Sequence, residues 1–157
     1  AQDIKDVTVS STKIRNALND GNVSLSNSYL GYNYFVTGEV IKGKGLGRKL
    51  DFPTANIHIN ESYKLIPKDG VYVVKTQLDN KSMYGMMNIG SNPTIKDKGR
   101  SIEVHFFDFD KDIYNRKLKI EFLERLRNEQ KFKNLEALKS QLKEDKKIAL
   151  DYIKNNE

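Results

Sequence analysis

The sequence contains no cysteine, no tryptophan and only three prolines among its 157 residues. Without cysteine, the chain cannot hold disulfide bonds, zinc–thiolate sites or iron–sulfur clusters, and it cannot use a thiol nucleophile. No apolar run approaches the roughly 18 residues that a membrane-spanning helix needs, and the first residues do not resemble a signal peptide. Leu, Ile, Val and Phe still exceed the share of about 20% below which charged chains tend to stay disordered. These features predict a folded, soluble protein of the cytoplasm with no membrane partner.

Positive charge is in excess and unevenly distributed. Lys and Arg number 27 against 21 Asp and Glu, which gives a net charge of +6. The two signs balance in residues 1–33, so the whole excess lies in residues 34–157. Such an excess suits an anionic ligand, but many ordinary surfaces also carry it. The charge alone therefore selects no function.

The spacing of apolar residues changes along the chain. Residues 8–31 are predicted to form two short helices, the first capped by Ser10, Ser11 or Thr12 and ended by Asp20-Gly21. From residue 34 onward, segments rich in β-branched and aromatic residues alternate with turn residues, a pattern typical of short strands. Six strands are predicted: Tyr34–Ile41, Thr54–Ile59, Gly70–Leu78, Ser82–Ile89, Ser101–Phe109 and Leu118–Leu126.

Six short strands with no helix between them favour an antiparallel sheet that closes into a barrel. Asp79-Asn80-Lys81 is predicted to be a hairpin turn. After Asn134 the apolar period becomes helical, which predicts a long C-terminal helix packed on the barrel. Its apolar stripe consists of Leu135, Leu138, Leu142, Ala149, Tyr152 and Ile153. The predicted fold is mainly β, with this helix and the short N-terminal helices added.

A glycine-rich basic segment, KGKGLGRKLDFPTAN, spans residues 42–56. Its alternate glycines, Gly43, Gly45 and Gly47, allow the backbone to approach a ligand closely and to present amide groups. Arg48 and three lysines precede the first acid of the segment. Amides and cations together suit a phosphate group, although the spacing matches neither common phosphate-binding glycine motif. A flexible basic hairpin without a ligand is the alternative interpretation.

Thr54 and Asn56 follow this segment at the start of a predicted strand. Residues two apart in a strand project to the same side, so a hydroxyl and an amide oxygen would point together toward the glycine turn. Neutral oxygens of this kind hold Mg²⁺ well when nucleotide phosphates supply the negative charge. The alternative is that the pair satisfies backbone groups at the start of the strand.

The segment SIEVHFFDF, residues 101–109, places Glu103, His105 and Phe107 on one face of a predicted strand. A carboxylate in so apolar a strand is unusual, and partial burial would make it a better proton acceptor. One hypothesis is therefore a general base for an alcohol. The alternative is an outward-facing Glu beside an outward-facing His. His105 is expected to pack or to donate a hydrogen bond, because His58 is the only other histidine and no metal-ligand spacing links the two.

Several of these motifs together resemble the bacterial riboflavin kinase family over roughly residues 33–155. They are GKGLGRKLDFPTAN, NIGSNPT, the Glu of SIEVHFFDF, and IYNRKLKIEFLERLRNEQKF ahead of a long helix. The residues themselves define no role for NIGSNPT beyond a tight loop. The resemblance implies a six-stranded antiparallel Greek-key barrel with a C-terminal helix. It also implies transfer of the γ-phosphate of ATP to the ribityl 5′-hydroxyl of riboflavin, which yields FMN and ADP.

The resemblance also implies roles for individual residues. Glu103 would be the catalytic base, and Thr54 and Asn56 would hold Mg²⁺. The ATP-binding residues would be Gly43, Gly45, Arg48, Thr54, Asn56, Phe106, Asp108 and Tyr114. The flavin-binding residues would be Arg127, Gln130 and Phe132. One position departs from the family pattern, since Asp51 stands where the family usually has Gly, and an acid there would weaken ATP binding.

Residues 9–15, VSSTKIR, resemble the segment that closes the adenylyltransferase domain of bifunctional FAD synthetases. Residues 1–31 are therefore expected to be the end of an FMN adenylyltransferase domain and its linker, and residues 32–157 the riboflavin kinase domain. The full-length chain would carry that N-terminal domain as a partner of the kinase domain. No adenylyltransferase activity is expected to remain in the present chain.

Two other functions compete with a kinase. A small basic β-barrel with exposed aromatic residues can bind single-stranded nucleic acid in the manner of an OB fold. That hypothesis explains the charge and the glycine segment, but it leaves Thr54, Asn56 and Glu103 without a role. The other is an inactive interaction module that docks a partner through residues 134–155. A kinase would have riboflavin and ATP as its partners and no nucleic acid.

Overall fold

A computed structural model describes residues 4–41, 52–59, 65–91, 100–109 and 111–157. The helices in these residues are α1 (Ile4–Asn19), α2 (Val23–Leu30) and α3 (Leu135–Asn156). The strands are β1 (Phe35–Ile41), β2 (Ala55–His58), β3 (Gly70–Leu78), β4 (Lys81–Ser91), β5 (Arg100–Phe106) and β6 (Lys117–Arg127). None of the described helices combines the length and the apolarity that crossing a membrane requires.

The six described strands form a closed barrel in the order β1-β2-β5-β4-β3-β6. Each neighbouring pair is antiparallel, and β6 closes the barrel by pairing with both β3 and β1. Closure pairs the edge strands that an open sheet would leave exposed. The predicted antiparallel barrel with a C-terminal helix is therefore confirmed.

The strand boundaries differ from the prediction where turn residues intervene. The strand predicted to run to Phe109 ends at Phe106, because Asp108 has φ 55°, a left-handed conformation that interrupts an extended strand. The hairpin turn consists of Asp79 and Asn80, with φ 51° and 68°, while Lys81 already belongs to β4. Positive φ at both central residues suits the right-handed twist of a hairpin, and Asp and Asn tolerate it.

Side chains of the barrel alternate between an inner core and an outer face covered by α3. The inner core includes Val36, Ile57, Tyr72, Met87, Val104, Phe106, Ile120 and Phe122. A separate apolar cluster lies between the barrel and α3 and includes Val71, Val73, Met86, Phe107, Leu123, Leu138, Leu142 and Ala149. Of the stripe predicted for α3, Leu135 is the member that stays exposed. Asn134 caps this helix, since its side chain accepts a hydrogen bond from the Ala137 amide at 2.8 Å.

The N-terminal helices pack on the barrel. α1 begins at Ile4, so the predicted cap residues Ser10, Ser11 and Thr12 lie inside the helix and do not start it. Leu18 of α1 and Val23 of α2 belong to the inner core. The side chain of Asn27 in α2 donates to the Phe122 carbonyl of β6 at 2.9 Å. The division of the chain at residue 31 remains a prediction, and these contacts tie both parts together.

Replacing Leu18 with Ala tests how strongly α1 is tied to the barrel. Leu18 is 1% exposed, so we expect Leu18→Ala to lower the free energy of unfolding by about 2–5 kcal/mol, through lost burial and the cavity left behind. Urea denaturation followed by circular dichroism measures the change. Leu25→Ala is the control, because Leu25 of α2 is exposed. Equal effects of the two substitutions would contradict the packing described here.

Candidate active site

A row of polar residues crosses the outer face of strands β2, β5 and β4. Asn56 lies directly opposite Glu103, and Glu103 lies directly opposite Asn88 on its other side. All three residues are half-buried. Directly opposed residues share a face, with Cβ atoms about 4.5–5.5 Å apart. The carboxylate therefore stands between two asparagines.

The same row continues toward the end of β6. Asn88 lies opposite Val71 of β3, and Val71 lies opposite Arg127. Neighbouring strands are about 4.8 Å apart, so the path along the sheet from Glu103 to Arg127 spans three strand spacings, roughly 14 Å around the barrel wall. The predicted base and a predicted flavin-binding residue thus share one register row on the outer surface, separated by Val71, which is buried in the cluster beneath α3.

A cavity of about 560 Å³ opens on the inner side of β2 and β5, the side opposite to this row, since Val40, Val104 and Phe106 of its wall belong to the inner core. It brings together three residues predicted for the nucleotide site, Thr54, Phe106 and Tyr114. The rest of its wall is formed by Val40, Pro53, Ala55, Val104, Phe109, Lys111, Asp112 and Ile113. Apolar walls with a few polar groups, at this volume, are typical of a small-molecule site.

Asp108 is separated from those three residues. It lines a second cavity of about 450 Å³, which adjoins the β3–β4 hairpin and α3. Phe109 and Lys111 line both cavities, so the two spaces are neighbours. A role for Asp108 in ATP binding therefore stays a prediction.

His105 supports the segment that leads into β2. Its Nδ1 lies 2.8 Å from the carbonyl oxygen of Pro53, the residue before Thr54, and its ring makes edge contacts with Phe52 and Phe107. Burial lowers the pKa of His105 below its usual 6.5, and Lys146 acts in the same direction, while the hydrogen bond to Pro53 opposes the shift. A neutral ring that donates from Nδ1 satisfies this geometry. His105 thus packs and forms a hydrogen bond, as the sequence predicts.

The flavin-binding residues predicted from the sequence are only partly brought together. The Arg127 guanidinium lies 5.8 Å from the centre of the Phe132 ring. It also forms an ion pair with Asp145 of α3, with an Nη2–Oδ2 distance of 2.8 Å. Gln130 is exposed. The structure therefore joins Arg127 and Phe132 at the far end of the row and leaves the role of Gln130 as a prediction.

Some predicted residues lie outside the part of the chain that the structure describes. These are Gly43, Gly45 and Arg48 of the glycine-rich segment, together with Asp51. Conversely, sequence reasoning missed Asn88 and Asp145. Asn88 is the first residue of NIGSNPT, and Asp145 interrupts the apolar stripe of α3. The sequence contained one signal for Asp145: it is an acid at a position where the helical period predicts an apolar residue.

The chemistry of the donor set limits which cation could bind here. Among the described residues, no group of three or more His, Cys, Asp or Glu side chains is placed to hold a metal ion. Thr54 and Asn56 offer neutral oxygens. They suit a hard cation that arrives with anionic ligands of its own, such as nucleotide phosphates.

Comparison with known proteins identifies the family. The Flavokinase family model, described as riboflavin kinase, matches residues 30–153. The bifunctional riboflavin kinase/FMN adenylyltransferase of Bacillus subtilis is 42% identical over 154 residues, covering 96% of this chain and 48% of the relative. The protein of the same name from Listeria monocytogenes is 45% identical over 138 residues, covering 87% of this chain and 44% of the relative. The chain belongs to the riboflavin kinase family, and it spans about half the length of the curated relatives it matches.

Two solved structures resemble the fold of this chain. A Streptococcus pneumoniae structure described as a macrolide-efflux protein has a TM-score of 0.83 and 35% identity, covering 88% of this chain and 45% of that chain. Riboflavin kinase from Trypanosoma brucei has a TM-score of 0.55 and 25% identity, covering 78% of this chain and 80% of that chain. The family resemblance, the fold class and the enzyme class predicted from the sequence are all confirmed.

The lowered pKa of His105 predicts a pH-dependent stability. Below about pH 6.5 the unfolded chain takes up a proton at this residue that the folded chain resists, so the free energy of unfolding falls as the pH is lowered from 7.5 to 5.5. We expect His105→Asn to make this decrease shallower, as measured by urea denaturation at several pH values. His58→Asn is the control, since His58 is exposed. A wild-type pH slope in the His105 variant would refute the assignment.

Proposed function

We propose that this chain transfers the γ-phosphate of ATP to the ribityl 5′-hydroxyl of riboflavin and releases FMN and ADP. The observation that carries the proposal is the register that sets Glu103 beside Asn56, two residues after Thr54, which lines the cavity. Membership of the riboflavin kinase family supports the choice of substrates. No comparable observation favours the nucleic-acid-binding alternative.

The cavity is proposed to receive the nucleotide. Phosphoryl transfer has a loose transition state, so the protein mainly aligns the reactants and neutralises charge. Phe106 and Tyr114 offer aromatic surface for the adenine, while Thr54 lies on the same wall. The glycine-rich segment, with Gly43, Gly45 and Arg48, is proposed to hold phosphate oxygens. Asp108 is proposed to contribute from the adjoining cavity.

Thr54 and Asn56 are proposed to hold Mg²⁺ together with the phosphates of ATP. The bound ion would neutralise the charge on the β- and γ-phosphates. The neutral hydroxyl and amide oxygens fit this role only while the nucleotide is present. Metal affinity should therefore depend on the nucleotide.

Glu103 is proposed to orient the riboflavin hydroxyl and to accept its proton as the oxygen attacks the γ-phosphorus. The amide groups of Asn56 and Asn88, on either side of Glu103, can hold the carboxylate in a fixed orientation. A positioned carboxylate of this kind is suited to general base catalysis.

The isoalloxazine ring is proposed to bind at the opposite end of the row. Arg127 and Phe132 lie together there, and Gln130 follows in the same segment. The ribityl chain would then run past Asn88 toward Glu103. This path places its 5′-hydroxyl at the base.

The relatives are named as bifunctional enzymes, and this chain spans about half of their length. We propose that residues 32–157 are the riboflavin kinase domain of such an enzyme and that residues 1–31 are the end of its FMN adenylyltransferase domain with the linker. A cytoplasmic location is part of the same proposal.

Glu103→Gln tests the proposed base. The substitution keeps the shape of the side chain but removes its ability to accept a proton, so we expect kcat for FMN formation to fall by roughly 10²–10⁴-fold. Riboflavin affinity, measured by flavin fluorescence quenching, should stay nearly unchanged. Glu121→Gln, which changes a half-buried glutamate of β6, is the matched control. A kcat within a few-fold of the wild type would show that Glu103 is not the base.

Thr54→Ala tests the proposed nucleotide and metal site. Loss of the hydroxyl should weaken the binding of Mg–ADP, and calorimetry measures the affinity. Thr37→Ala, a half-buried threonine of β1, should leave Mg–ADP affinity unchanged. The metal assignment fails if the Thr54 variant binds Mg–ADP as tightly as the wild type.

A further inference from the structure

Asp145 is a buried carboxylate to which the mechanism above gives no role. It lies on α3, is 1% exposed, and belongs to the helix stripe whose apolar members pack in the cluster between this helix and the barrel. Its oxygens accept hydrogen bonds from Arg127 Nε at 2.9 Å and Nη2 at 2.8 Å. Gln141, one turn earlier in α3, donates to Oδ1 at 2.9 Å. The charge is therefore fully partnered.

Asp145 occupies a position that an apolar residue would otherwise fill. Leu138, Leu142, Ala149 and Tyr152 of the same stripe all pack in the outer cluster. A buried ion pair adds little stability compared with well-packed apolar residues of similar volume. The pair is thus a weak source of docking stability for α3, and its distinctive effect is to impose one geometry on Arg127.

The geometry imposed on Arg127 concerns the flavin end of the row. With Nε and Nη2 held by Asp145, Nη1 donates to the Asn128 carbonyl at 3.0 Å. The guanidinium then lies over the Phe132 ring. A planar, forked group held on one side in this way has a single orientation to offer a ligand.

We propose that Asp145 is a positioning residue for riboflavin binding. It holds the Arg127 guanidinium in the orientation in which Arg127 and Phe132 receive the isoalloxazine ring, so that helix α3 determines the affinity for flavin. This inference rests on the proposed function, because it assumes that riboflavin binds at this end of the row.

The test compares Asp145→Asn with Leu142→Ala. Both changes weaken the contact between α3 and the barrel, but only the first releases Arg127. We expect Asp145→Asn to lower riboflavin affinity by roughly tenfold or more, because small displacements of a binding group are costly. The affinity of Asp145→Asn for Mg–ADP should stay within about twofold of the wild type. Leu142→Ala should keep both its riboflavin affinity and its Mg–ADP affinity within about twofold of the wild type. Flavin fluorescence quenching, calorimetry and thermal melting supply the three readouts.

A double variant separates positioning from a direct effect. If Asp145 acts through Arg127, adding Asp145→Asn to Arg127→Ala should cause no further loss of riboflavin affinity. If the double variant instead loses riboflavin affinity by the product of the two single-variant losses, the proposal is overturned. If Asp145→Asn does not fold, Asp145→Glu carries the same test, because it keeps the charge but displaces it by one methylene.

The outcomes distinguish this inference from the proposed function. Wild-type riboflavin affinity in the Asp145 variant, together with a lowered melting temperature, would show that Asp145 only docks the helix. An affinity loss of equal size in Leu142→Ala would overturn the inference in the same way. Failure of the wild-type chain to bind riboflavin would instead overturn the proposed function, and the inference with it.

Discussion

The antiparallel pairing of β2 with β5 is the constraint on which the site depends. This register sets Asn56 opposite Glu103 and Ala55 opposite Val104. A slip of one residue would turn the polar pair into the barrel and the apolar pair out of it. Ile57, Val104 and Phe106 in the inner core oppose such a slip by their burial. The same packing that stabilises the barrel therefore brings the amide and the carboxylate together.

The predicted site residues lie on both sides of the barrel wall. Asn56 and Glu103 face outward, whereas Phe106 belongs to the inner core and lines a cavity together with Thr54. Three residues predicted for the nucleotide meet at a cavity beside β2, whereas Arg127 and Phe132, predicted for the flavin, lie at the end of β6 and in the segment before α3. Rigid strands suit the proposed phosphoryl transfer, because that reaction requires two substrates held in line.

Helix α3 does more than cover the barrel. Its apolar residues bury one face of the sheet, while Asp145 reaches the last residue of β6. His105 has a comparable role at the other end, where it holds the backbone just before Thr54. Two buried polar side chains thus support the site region: Asp145 contacts Arg127, and His105 contacts the residue before Thr54.

The sequence predicts the strands and the C-terminal helix of this fold well, because the two-residue alternation of the strands and the helical spacing of apolar residues are both clear. Local spacing also places Glu103 on the face opposite Val104. The pairing of β2 with β5 was not predictable in this way, since alternation fixes which side a residue faces but not which strand lies beside it. The predicted start of α1 was wrong, because Ser10, Ser11 and Thr12 resemble helix caps yet lie within the helix. The ion pair of Asp145 with Arg127 joins residues 18 positions apart, and no local pattern pairs them.

The central claim is that one chain brings a nucleotide phosphate and the riboflavin hydroxyl together at Glu103. Incubation of the chain with riboflavin, ATP and Mg²⁺, followed by chromatography of the flavin and nucleotide products, tests it most directly. The account predicts FMN and ADP in equal amounts. Unmodified riboflavin, or ADP released with free phosphate and no FMN, would contradict it.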